Sequence, residues 1–270
     1  MSTLLVTSTC GFQRVFKKGS QMLLQDKVVI VSGGARGIGA AICRVLGRHG
    51  AKVVVNYSSS KEKADSVAAE IVSAGGSAVV CAADVRLATD VQKMVDFTMA
   101  HYGRVDGIVH NAISGKQNGP ILNTSEEDYN TAFDFGCHAV IHFAKATRPI
   151  FNAQGGGRIV NICTELWNSA PADWTVYMSG KGAMVGISRS LARELGPENI
   201  TVNCVAPGWM ADEKVIPGSS DGYAKGVPLR RQGSADEIGN ACVFYLSDLA
   251  GFVTGTYLPV CGGNVTQVGV

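Results

Sequence analysis

Tyr177 and Lys181 stand four apart in the run Tyr177-Met178-Ser179-Gly180-Lys181. That spacing puts both side chains on one face of a helix. A phenol ordinarily loses its proton at about pH 10. An ammonium one turn away favours the phenolate and is expected to lower that value. The pair would then be a proton donor or acceptor usable near neutrality. Alone, it fits an exposed, solvated helix face equally well. A second motif upstream gives it something to act on: Ser32-Gly33-Gly34-Ala35-Arg36-Gly37-Ile38-Gly39. Gly33, Gly37 and Gly39 lack a Cβ, so backbone can approach a pyrophosphate and a helix can pack close to a strand. The free N–H groups of the helix start then face the anion. Ala35, Arg36 and Ile38 belong to the same turn and are expected nucleotide contacts. The spacing is Gly-x3-Gly-x-Gly rather than the commoner Gly-x-Gly-x2-Gly.

These residues need elements to hold them. The glycine turn follows an apolar run, Val28 to Val31, and opens an amphipathic stretch, Ala40 to Leu46. From Lys27 onward apolar runs alternate with helical patterns. The strands are expected at 27–32, 52–57, 77–82, 105–110, 158–163, 200–205 and 256–260. The helices are expected near 37–48, 61–74, 87–101, 125–151, 175–195 and 234–247. Seven strands with crossover helices imply an α/β, Rossmann-type, doubly wound parallel sheet, with helices on both faces and a single domain. Runs such as Val53-Val54-Val55 are continuous because such strands are covered on both sides. Ligands bind at the carboxyl ends of the strands, near the switch in strand order. One long irregular connection, Trp209 to Gly226, reads as a substrate lid.

Composition narrows the function classes. The chain has 270 residues, 46% hydrophobic and 17% charged, which suits one large domain. A net charge of +2 makes no case for nucleic acid or an anionic membrane surface. No run reaches the roughly 20 apolar residues of a membrane span. Eight cysteines are scattered without CxxC spacing, as buried free thiols are, which implies a reducing compartment and a cytoplasmic location. Residues 1–21 carry Arg14, Lys17 and Lys18 and no acid. They have the composition of an organellar transit peptide. The preferred reading is a disordered or dispensable leader, with residues 22–270 as the domain.

With these motifs in order, the chain resembles the short-chain dehydrogenase/reductase family, in its 3-oxoacyl-acyl-carrier-protein-reductase-like branch, from about Leu24 to Gly263. The landmarks are the glycine turn, Asp84-Val85 after the third strand, Asn111-Ala112 after the fourth, Tyr177 to Lys181, Pro207-Gly208 after the sixth, and Thr254-Gly255 with Gly262-Gly263 near the end. The resemblance implies an NAD(P)-dependent oxidoreductase of a small carbonyl or alcohol substrate. It implies that Tyr177 is the general acid, that Lys181 lowers its pKa and holds the nicotinamide ribose, and that Thr164 stands for the serine that bonds the substrate oxygen. Asp84, Val85, Asn111, Ala112, Pro207, Gly208 and Met210 are implied cofactor contacts, although Met210 reads equally as a packing residue. Long apolar helices in this family pair across a two-fold axis, so a homodimer or homotetramer is expected. The family needs no metal; His138 and His142, four apart without a third ligand, read as packing or interface residues.

Departures cluster on the substrate side. Twenty-eight residues before Thr164 the family's relay asparagine is Gly136, where a water is expected in the vacated volume or a weakened relay. The family's Asn-Asn-Ala-Gly reads His110-Asn111-Ala112-Ile113, a nearby threonine is Asp212, and the terminal Asp-Gly-Gly begins with Cys261. Glu165 and Asp212 could add acid groups near the pocket, with a polar loop pointing to water the preferred role for Glu165.

The second strand ends Val55-Asn56-Tyr57-Ser58-Ser59-Ser60-Lys61, with no acid to repel a ribose 2′-phosphate. Arg36 can pair with that phosphate through its planar fork. Asn56 and Ser58 add hydrogen bonds. NADP(H) is the preferred cofactor, with NAD(H) the alternative. Trp167, Trp174 and Trp209, with Ile113, surround the expected site. They either wall a cleft for a bulky apolar or aromatic carbonyl compound or pack in the core or an interface. Two other functions remain open: a nucleotide-binding regulatory protein with weakened catalysis, and a redox-neutral isomerase or dehydratase using the same site.

Overall fold

The computed structural model describes residues 22–211 and 221–264. The leader reading of residues 1–21, Asp212 and much of the long connection after Trp209 lie outside the described residues. The first half of the chain runs β1 (Val28–Val31), α1 (Gly37–Arg48), β2 (Lys52–Tyr57), α2 (Lys61–Ser73), β3 (Ser77–Ala82), α3 (Ala88–Tyr102), β4 (Gly107–His110), α4 (Glu126–Phe133) and α5 (Ala139–Gln154). The second half runs β5 (Gly157–Ile162), α6 (Leu166–Ser169), α7 (Thr175–Leu195), β6 (Ile200–Pro207), β7 (Met210–Ala211), α8 (Asp221–Gly226), β8 (Gly233–Ser234), α9 (Ala235–Leu246) and β9 (Tyr257–Val260).

Seven strands form one parallel sheet in the order β3-β2-β1-β4-β5-β6-β9. The order reverses between β1 and β4, which leaves a crevice at their carboxyl ends. Alternate residues of each strand feed opposite cores. Val29 and Val31 pack with Ile42 and Leu46 of α1 and Ile238 of α9. Ile30 and Val54 pack with Met94 of α3, Phe143 of α5 and Leu195 of α7. Each such side chain, fully buried, stabilises the fold by about 1.5–3 kcal/mol, so the sheet is a firm platform for the loops at its carboxyl edge.

The expected sheet is present, and most helices match. The helix expected at 125–151 differs. It is α4, opened by a Ser125–Asp128 capping box, then a π-helical turn at Asp134–His138, then α5. The elements α6, α8, β7 and β8 are too short to announce themselves by periodicity. No helix among the described residues is long and apolar enough to cross a membrane. None of them forms a group of three or more metal-ligating side chains. His138 bonds Asp134 through Nδ1, and His142 bonds the Val85 carbonyl through Nδ1.

Candidate active site

The glycine turn is braced from β4. Gly33 takes φ +63°, a left-handed conformation that costs glycine little. A Cβ on Gly39 would lie 2.2 Å from the Gly33 carbonyl oxygen, so the third glycine lets the helix start close against the turn. Asn111 Nδ2 donates to the Ser32 and Gly33 carbonyls at 3.1 and 3.2 Å. Asn56 Oδ1 accepts the Gly33 N–H at 3.2 Å, and Asn56 Nδ2 donates to the Cys81 and Ala83 carbonyls. Asn56 is buried and its amide braces the turn through these bonds. The α1 N-terminus has no side-chain cap and no acid in its first turn, which leaves its N–H groups for an anion. Arg36 and Ser58 are exposed beside it, and α2 also begins without a side-chain cap.

Ser32 settles the state of His110. Its hydroxyl oxygen accepts the N–H groups of Asn111 and Ala112 at 2.9 and 3.0 Å. Its one proton therefore goes to His110 Nδ1, 2.9 Å away. His110 then carries its proton on Nε2 and donates it to the Phe135 carbonyl, inside the π-helical turn, at 2.7 Å. Burial holds the imidazole down to about 4, against the Phe135 bond, and the Lys181 charge lowers it further. This neutral histidine joins the glycine turn, the end of β4 and the π-turn.

Lys181 and Tyr177 share one face of α7, as their spacing predicts. Lys181 Nζ is buried, donates to the Ile162 carbonyl at 2.6 Å and lies 5.8 Å from the centre of the Tyr177 ring. The expected lowering of the phenol is not found. Burial raises the Tyr177 pKa, and the hydrogen bond with the Thr164 hydroxyl only partly offsets the rise. Burial also lowers that of Lys181. The phenol thus holds its proton at neutral pH. Thr164 is fixed by Tyr257, whose hydroxyl donates to the Thr164 carbonyl at 2.7 Å. Its own hydroxyl accepts the Leu166 N–H at 3.2 Å. A cavity of about 10 Å³ lies beside Tyr177 and Lys181, lined also by Ile113, Ser114, Gln117 and Gly136. The Gln117 carbonyl accepts the Tyr177 backbone N–H at 3.2 Å.

Gly136 lines that cavity, which has roughly the volume of one water, but the direction a side chain would take from it is closed. A Cβ there would come within 2.1 Å of the Gly180 carbonyl oxygen, and a Cβ on Gly180 within 2.5 Å of the Ala132 carbonyl oxygen. The backbone of α7 fills that space. Glu165 corrects a second expectation: it is 5% exposed and receives hydrogen bonds from Tyr223 and Asn264.

The other expected site residues divide. Asp84 is engaged by Arg86 at 2.6–3.0 Å, which holds its carboxyl below the usual range. Val85 is buried. Pro207 gives its carbonyl to the Glu165 N–H, and Gly208 bonds the Val260 carbonyl. Met210 is buried in the core cluster of α1 and α9, a packing residue. Trp174 meets the Tyr177 ring edge-on at 5.6 Å, and Trp209 meets Tyr223 edge-on at 5.8 Å. Trp167 lies against Gly182 of α7. Ile113, Trp167 and Trp209 keep 41%, 44% and 49% of their surface exposed. Sequence reasoning missed Ser32, Tyr223, Tyr257 and Asn264 as supports of the site. Only His110, at a position where the resemblance expects asparagine, carried a signal.

Comparison with known proteins bears on this geometry. A family model described as enoyl-(acyl carrier protein) reductase matches residues 33–264. An uncharacterized oxidoreductase of Methylorubrum extorquens is 37% identical over 246 residues, covering 89% of this chain and 98% of that protein. A 3-oxoacyl-[acyl-carrier-protein] reductase of Synechocystis sp. is 32% identical over 243 residues, covering 90% and 98%. A mutant short-chain dehydrogenase/reductase of Serratia marcescens superposes with a TM-score of 0.84 at 32% identity, covering 90% of this chain and 100% of that one.

Proposed function

The chain belongs to the short-chain dehydrogenase/reductase family, on its 3-oxoacyl-acyl-carrier-protein-reductase-like branch, and is an oxidoreductase of carbonyl and CH–OH groups that uses NAD(P)(H); on that premise we propose that it reduces an apolar or aromatic carbonyl compound with NADPH, Tyr177 being the general acid. The observation that carries this reading is the buried Tyr177 hydroxyl bonded to the Thr164 hydroxyl, with Lys181 fixed one turn further along α7. NADPH, when bound, supplies the hydride that reduces the carbonyl carbon. The Tyr177 hydroxyl gives its proton to the carbonyl oxygen, and the Thr164 hydroxyl hydrogen-bonds the same oxygen. Because burial keeps the phenol protonated, the resting site is loaded for reduction; alcohol oxidation needs the phenolate and hence a higher pH. The uncapped start of α1 suits the pyrophosphate. The fit to NADP rests on Arg36 and Ser58, both exposed, and on a β2 strand that ends without an acid. Ile113, Trp167 and Trp209 offer apolar surface to the substrate.

Two measurements test this. NADPH absorbance against a panel of ketones should fall, and Tyr177→Phe should slow turnover by about a hundred-fold or more; turnover that survives unchanged in the variant would contradict the acid role. The Michaelis constant for NADPH should lie below that for NADH and rise in Arg36→Ala; a clear NADH preference would refute the cofactor reading. A second reading, nucleotide binding with weakened catalysis, is favoured by the closed space at Gly136. Binding of NADPH without turnover on any carbonyl would support it. We further propose that the protein works as a homodimer or homotetramer.

A further inference from the structure

Glu165 follows Thr164 directly, yet its side chain faces inward, away from water. Its Oε1 accepts the Tyr223 hydroxyl proton at 2.8 Å and the Asn264 amide at 3.2 Å. The Tyr223 oxygen in turn accepts the Trp209 N–H at 3.0 Å, and the two rings meet edge-on. The Glu165 N–H is held by the Pro207 carbonyl. One carboxylate therefore gathers the end of β5, the loop after β6, α8 and the segment after β9. Gly208 is part of the arrangement. A Cβ there would lie 2.3 Å from the Tyr223 hydroxyl and 3.0 Å from Cys261. The hydroxyl reaches the carboxylate only across a residue without a side chain.

The donors are all neutral: the Tyr223 hydroxyl, the Asn264 amide, the Cys261 thiol and the Trp209 N–H. Among the described residues no cation pairs with Glu165, and burial raises its pKa, so holding the carboxyl ionised there is costly unless those hydrogen bonds are made. Such a group in a loop next to a reacting hydroxyl has a role other than solubility. We propose that Glu165 is a positioning residue that clasps Trp209 and Tyr223 to the strand end bearing Thr164, and so sets the wall against which the carbonyl substrate binds. The substrate consequence rests on the reading of Thr164 and Tyr177 as the carbonyl-binding pair; the clasp itself does not.

Three variants test it: Glu165→Ala, Glu165→Gln and Tyr223→Phe. Glutamine keeps the accepting oxygen, so it should hold the clasp. Tyr223→Phe removes one hydroxyl and keeps the ring, so it reports on the clasp should Glu165→Ala fail to fold. Hydrogen exchange at the Trp209 amide should speed up roughly five-fold or more in Glu165→Ala and Tyr223→Phe, as expected for a lost or loosened bond to the Tyr223 oxygen, and stay near wild type in Glu165→Gln. In ketone reduction, KM should rise by about ten-fold in the first two with kcat changed less than about three-fold. Unchanged Trp209 exchange in Tyr223→Phe would overturn the clasp, as would Glu165→Gln failing as badly as Glu165→Ala. Faster exchange with an unchanged KM would overturn its role in substrate binding. If the wild type reduces no ketone, the functional reading fails, and Trp209 exchange alone decides the clasp.

Discussion

At Ser32 a single hydroxyl proton fixes the tautomer of a histidine 78 positions away. The consequence is measurable as acid sensitivity. His110 ordinarily titrates at 6.5 and is held down to about 4 in the folded chain. Between those values the unfolded chain binds a proton that the folded chain does not. Stability from this group is therefore complete above pH 6.5 and is lost as pH falls toward 4, by roughly 3 kcal/mol in all. His110→Asn cannot titrate there. Denaturant unfolding at pH 7 and at pH 4.5 should show a stability loss smaller by about 2 kcal/mol in the variant than in the wild type. An equal loss would mean that His110 is not the neutral, buried group the hydrogen bonds require. At this scale the sequence was legible where chemistry is local. Tyr177 and Lys181 share a helix face by spacing alone, and Gly33 and Gly39 sit in one turn. Glu165 was illegible for the opposite reason: what buries it comes from Tyr223 and Asn264, 58 and 99 positions further on.

At the scale of elements, the crossing of the π-turn with α7 is the tightest constraint around the site. Gly136 and Gly180 meet backbone to backbone, and Gly180 immediately precedes Lys181. Spacing found that an asparagine was missing; it could not show that a neighbouring helix lies where its side chain would go, because helix separation is set by residues on both partners. Gly136→Asn should therefore fail to restore a relay. It should lower unfolding stability by about 3 kcal/mol through overpacking and depress turnover by shifting α7. Full stability with raised activity would show that the crossing yields easily. The sheet was easier to read, since its doubly covered strands are continuous apolar runs, whereas the split of 125–151 depended on this same crossing.

At the scale of the molecule, β9 is one edge of the sheet. Beside it Leu249 and Phe252 are exposed, Phe252 completely, with Phe244 and Leu258 partly so. An apolar sheet edge of this kind favours pairing with another chain, and a second copy is the occupant expected from the proposed dimer or tetramer. Light scattering should give a multiple of the 28.3 kDa chain mass, and Phe252→Asp should shift it toward the monomer. A monomeric wild type would refute the assembly, and an unchanged mass in the variant would move the interface elsewhere.

The Gly136–Gly180 contact also bears on how this sequence can change over time. Any side chain entering at Gly136 strikes the backbone of the helix that carries Tyr177 and Lys181, so asparagine cannot enter by one substitution without displacing that helix. A compensating shift of α7 would have to come first. Any side-chain relay is thus left to cavity-lining residues outside the π-turn, such as Ser114 and Gln117.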